Sequence, residues 1–152
     1  MVNVRVLAVA ALAPTVALAF SVSLVNGSSG NVVRWGTSSL SFRLQSAGSA
    51  DIVDGSEFEA VRAGWQEWQD VTCSALTFTE GAMTSNKSTM AVDGSPNGIN
   101  EITWAEGSEW QLGQFVLGVT NTSFSVPDGE ISEADIAFNG YQNQWSTNGK
   151  SG

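Results

Sequence analysis

The 152 residues contain no histidine. Without an imidazole the chain cannot assemble a Ser-His-Asp or Cys-His catalytic set, nor a histidine-bound zinc site from its own residues. Cysteine is nearly as scarce. Cys73 stands alone, so a thiolate metal cluster is excluded, and as a nucleophile it would lack an activating base. Two readings of this thiol stay open: a buried structural side chain at a helix end, or one whose disulfide partner lies outside the sequence. Basic residues are few, 6 against 15 acidic ones, for a net charge of -9. Such a surface repels nucleic acid and anionic membranes. No glycine loop suits a phosphate, because the Gly113 and Gly118 pair is followed by no Lys-Ser/Thr.

Long hydrophobic runs are also absent, with one exception. Residues 6–18 form an uncharged apolar stretch after Arg5, broken by Pro14 and closed by Ala17-Leu18-Ala19. That is the layout of a secretory signal, and 1–19 is read as one, making the protein secreted or periplasmic. Retention as an anchor is the rival reading, since the charge-free stretch continues to Val25; Ser21, Ser23 and Pro14 weaken a spanning helix. After signal removal no membrane association is expected. Residues 20–31, ending around Asn-Gly-Ser-Ser-Gly, read as a flexible spacer.

What is present is enough for one compact domain, 32–152, with 42% hydrophobic residues including 6 Trp and 7 Phe. Residues 54–72 carry a clear helical period: Phe58, Val61, Trp65, Trp68 and Val71 or Thr72 on one face, Glu57, Glu59, Gln66, Glu67 and Asp70 on the other. Ser56 with Glu59 reads as a capping box at its start, and Asp54 is expected to serve the same helix end. Short alternating segments at 32–35, 39–44, 76–79, 89–92, 99–105, 114–124 and 134–138 read as strands between Gly, Asn and Asp turns. The fold class expected is α+β, a twisted mixed sheet of about five strands backed by one long helix.

Few residues invite chemistry. Asp128, Glu130, Glu133 and Asp135 are close in sequence, and read as solvated turn acids; a calcium site or an acid/base pair is the sharper alternative, although the spacing is not that of a calcium loop. Trp35, Trp65, Trp68 and Trp104 are expected in the core. Trp110 and Trp145 lie in polar loops and are the only indoles placed to act as exposed sugar-stacking platforms. Asn26, Asn86 and Asn121 head Asn-x-Ser sequons.

The order of pieces carries more than any one of them. RWGTSSLSFRL is followed by the helix DGSEFEAVRAGWQEWQDV, then SALTF, NEITWAEG, FVLGVTNTSFS, GEISEADIAFNG and YQNQWST. This series resembles the N-terminal part of the matrixin-like zinc metallopeptidases of the metzincin group, in particular exported bacterial-type members, over most of residues 33–149. The resemblance implies a mostly parallel sheet with one antiparallel edge strand that pairs with an extended substrate. The matching strand is 116–120, so Leu117, Gly118, Val119 and Thr120 are the expected substrate-binding residues, with 134–139 the next strand inward.

The family's zinc helix, His-Glu-x-x-His-x-x-Gly-x-x-His, is not in this sequence, and the positions of its structural zinc are not histidine here. No catalytic or metal-ligating residue is therefore assigned. Zinc belongs to a longer protein, calcium lacks support, and the chain alone is expected to be inactive. A truncated protease would also account for the lone Cys73 and the polar finish at Gly152. The implied partner is a protein or peptide substrate bound by a monomer. The alternative is a non-catalytic exported β-rich module that binds glycan or protein through Trp110, Trp145 or a sheet edge; a family member that has lost its chemistry is a third reading.

Overall fold

The computed structural model describes residues 22–27, 30–86 and 96–149. The export signal at 1–19 and the strand expected at 89–92 lie outside the described residues. Six strands and one helix follow in the order β1 (Arg34–Trp35), β2 (Ser39–Leu44), α1 (Ser56–Gln69), β3 (Thr77–Glu80), β4 (Asn100–Ala105), β5 (Gly118–Phe124) and β6 (Glu130–Asn139). The α+β class and the mixed sheet are as expected, with six strands among the described residues against the about five expected.

Parallel pairing joins β3 to β2, β2 to β4, and β4 to β6. Only β5 runs antiparallel, against β6. Ile136 pairs with both Ile102 and Thr120, and Ile131 with both Trp35 and Phe124. A strand has two edges, so β5 occupies one edge of β6 while β4 and β1 share the other in tandem. The strand expected at 134–138 is ten residues long in fact, because pairing with β1 and β5 extends it back through the turn to Glu130.

Strand alternation sorts the core. Phe42 and Leu44 of β2 with Ile102 and Trp104 of β4 turn to one face, where Phe58, Val61 and Trp65 of α1 cover them with Phe78, Ile136 and Phe138. Ala105 and Ala137 turn the other way, onto Trp110, Val116 and Val119. Trp65 lies between two rings, 5.4 Å from the centroid of Phe42 and 4.4 Å from that of Phe78. Phe138 likewise bridges Trp104 and Trp145.

The helix departs from its reading at both ends. No capping box forms. Gly55, in the left-handed region at φ 72°, is the N-cap, and the Ser56 amide donates to Asp54 Oδ1 at 3.1 Å, the role expected of Asp54. Glu59 reaches forward instead, to Arg62 Nη1 at 2.7 Å. Glu57 is buried rather than solvated, because the 45–55 loop folds back over the first turn and the Ser49 amide donates to its Oε1 at 3.2 Å. Trp68 is 62% exposed, not core. It lies in the last turn of α1, one residue before the helix ends.

Candidate functional site

Among the described strands β5 pairs with β6 alone, and its outer edge is free. The direction of each backbone group follows from two contacts. The Asn139 amide donates to the Leu117 carbonyl at 2.8 Å, and Ser132 Oγ donates to the Ser123 carbonyl at 3.2 Å. Odd-numbered residues of this segment therefore point their polar backbone inward to β6. The alternation of an antiparallel ladder turns the N–H and C=O of Gly118, Thr120 and Thr122 outward.

The four sequence-predicted substrate residues fall on this edge in unequal ways. Gly118, Val119 and Thr120 begin β5; Leu117 precedes it, with its side chain 58% exposed and its carbonyl spent on Asn139. Val119 packs onto the Ala105, Trp110 and Ala137 cluster. Thr120, level with Ile136, faces the α1 side. Gly118 is a close approach, since a Cβ there would stand 3.2 Å from the Ala137 carbonyl and 3.3 Å from the Phe138 ring.

Beside this edge, on the α1 face, lies an apolar groove of about 300 Å³. Thr120, Ala134 and Ile136 line it at the strand edge, and Trp65, Trp68 and Phe78 line it from α1 and β3. Trp35, read as core, is a half-buried wall of the same groove. The groove had no local signal, because its lining comes from every strand and the helix.

The two indoles read as exposed platforms are not free. Trp110 is 3% exposed, folded into the second core cluster with its Nε1 donating to the Gly113 carbonyl at 3.1 Å. Trp145 is half-buried edge-on to Phe138, and its Nε1 donates to the Asn139 carbonyl at 2.8 Å. In each case a loop indole finds a core surface for its ring and a carbonyl for its N–H.

The acidic group also differs from its reading. Glu133 and Asp135 are buried, together with Glu101 from β4, which the sequence did not single out. Glu133 Oε2 accepts the Asn97 and Gly98 amides at 2.6 Å each; Asp135 Oδ1 accepts the Glu101 amide at 2.8 Å; Glu101 accepts both bonds of Asn86 Nδ2. Burial, with Glu133 and Glu101 beside it, pushes the Asp135 carboxyl up to about 7. A strand pointing 133 and 135 to the same side buries both once β6 becomes central. Asp128 and Glu130 remain at the surface.

The residues present do not fit zinc. There is no histidine, Cys73 is single and exposed, and the buried Glu101, Glu133 and Asp135 carboxylates already accept N–H donors. Among the described residues no group of three His, Cys, Asp or Glu could hold a metal ion, and none of their helices is long and apolar enough to cross a membrane. The exposure of Cys73 removes the reading as a buried thiol. The chain matches no protein-family model, no curated protein and no solved structure.

Proposed function

We propose that this chain is the substrate-edge part of an exported, matrixin-like zinc endopeptidase, with the zinc-binding helix supplied by a segment outside this sequence. The observation that carries the reading is the antiparallel edge strand β5, whose Gly118, Thr120 and Thr122 have no backbone partner for their outward N–H and C=O groups among the described residues. An extended peptide laid alongside would complete these bonds as a further strand, bound through backbone groups common to all sequences. The protein would act as a secreted or periplasmic monomer on protein or peptide substrates, without nucleic acid. Alone, with no fitting metal ligands, the chain holds a peptide and does not cut it.

The misfit to zinc favours a second reading, a non-catalytic exported module that uses the same edge to bind protein. One experiment separates the two. The coding DNA beyond the Gly152 codon is sequenced in all frames, and the completed chain is assayed for proteolysis with and without a chelator. A His-Glu-x-x-His-x-x-Gly-x-x-His helix soon downstream, with chelator-sensitive cleavage, supports the protease. A genuine stop with no such motif refutes it and leaves the binding module.

A further inference from the structure

The edge and the groove are continuous, and together they define what kind of peptide fits. Gly118, Thr120 and Thr122 pair with Phe138, Ile136 and Ala134, so their side chains lie on the α1 face. They are also the residues whose backbone faces outward. In antiparallel addition, docked residues level with Gly118 and Thr120 are two apart and place their side chains on this same face.

Neither position carries a large side chain. Gly118 has none, and the Phe138 ring stands against it on the α1 face, 3.3 Å from where a Cβ would lie. Thr120 is small and exposed, and it lines the groove with Ala134 and Ile136. The added strand lies about 4.8 Å outside β5, within reach of a Leu, Met or Phe side chain folded back over the edge. The chain's charge of -9 favours a basic partner over an acidic one.

Resting on the edge reading above, we infer that the docked chain is a net-basic extended peptide with long apolar side chains at positions i and i+2. One lies across Gly118 onto Phe138, and the other enters the groove past Thr120. Residues between them face the opposite side of the sheet, beside Val119 and Asn121, and contribute no apolar anchor.

The test uses the full chain and a fluorescein-labelled nonapeptide, Lys-Thr-Lys-Leu-Thr-Leu-Lys-Thr-Lys, followed by fluorescence anisotropy. Four altered peptides accompany it: two with one leucine or the other replaced by alanine, an isomer with the leucines adjacent, and a version N-methylated at both leucine amides. The expected result is at least tenfold weaker binding for the alanine and adjacent-leucine peptides, as loss of a buried leucine predicts, and no binding for the N-methylated one. In Thr120→Trp, with its far-UV spectrum checked against the parent, filling the groove at its Thr120 side should bring one leucine-to-alanine ratio close to one.

Alanine and adjacent-leucine peptides binding within twofold of the parent, while N-methylation still abolishes binding, would overturn this inference and leave the edge reading standing. An N-methylated peptide binding as well as the parent would overturn the edge reading itself. Failure of every peptide to bind would remove both.

Discussion

Replacing Asp135 with asparagine should change how stability depends on pH. Asp135 is 5% exposed, its Oδ1 accepts the Glu101 amide, and it shares a hydrogen bond with Glu133. Burial, with Glu133 and Glu101 adding repulsion, raises its folded pKa from 3.8 to about 7. Between these values the folded protein holds a proton that the unfolded chain has released, so stability falls as pH rises, and it is lowest above pH 7. One proton gives a slope of up to about 1.4 kcal/mol per pH unit. From pH 5 to pH 8 the loss is about 2 to 3 kcal/mol. Asparagine keeps the acceptor for Glu101 and offers Glu133 a permanent donor, so Asp135→Asn should flatten this slope and be the more stable form at pH 8. The window is clean because there is no histidine to titrate within it. Glu80, held down by its hydrogen bonds to Arg62, and Asp54 and Asp128, held down by theirs to nearby donors, act in the opposite sense only at acid pH. Urea unfolding followed by tryptophan fluorescence at pH 5, 6, 7 and 8 measures both proteins. A flat parent profile, or an equal slope in Asp135→Asn, refutes the reasoning.

Three other perturbations probe the frame. Leu44 is 0% exposed at the centre of the main cluster, and Leu44→Ala should cost about 2 to 5 kcal/mol by urea denaturation. Arg62 clasps Glu80 through Nε at 2.6 Å and Nη2 at 2.7 Å, tying α1 to β3; Arg62→Lys loses the fork for under about 1 kcal/mol, since both partners are partly exposed, and the difference should vanish near 1 M salt. Thr120→Pro removes only an outward amide and should leave the urea midpoint nearly unchanged, whereas Val119→Pro breaks the ladder to Ala137 and should cost about 3 kcal/mol. Equal costs for the two proline variants would contradict the orientation assigned to β5.

Local pattern carried the element inventory. The alternation of Leu40, Phe42 and Leu44, the pair Ile102 and Trp104, and the helical spacing of Phe58, Val61 and Trp65 each state a face that the fold buries. Gly118, Val119 and Thr120 could be placed on an edge strand only through a resemblance, because a half-polar strand reads alike in the middle of a sheet and at its rim. Where readings failed, the folded chain had supplied a surface and a partner. Trp110 packs with Ala137 and Trp145 on Phe138, their N–H groups finding nearby carbonyls at Gly113 and Asn139, and Glu57 found the Ser49 amide.

By itself the sequence determined the chain's chemical limits: no imidazole, one thiol, and a strongly acidic balance, so no histidine-bound zinc site from its own residues. It also determined the α+β class, since periods of 3.6 and 2 are properties of neighbouring residues. Strand order was decided only by tertiary structure. Strands far apart in the chain compete for the edges of β6, and their placement left β5 outermost, Glu101, Glu133 and Asp135 in a shared buried site, and a groove open beside Thr120. These depend on long-range pairing, which no local window of residues encodes.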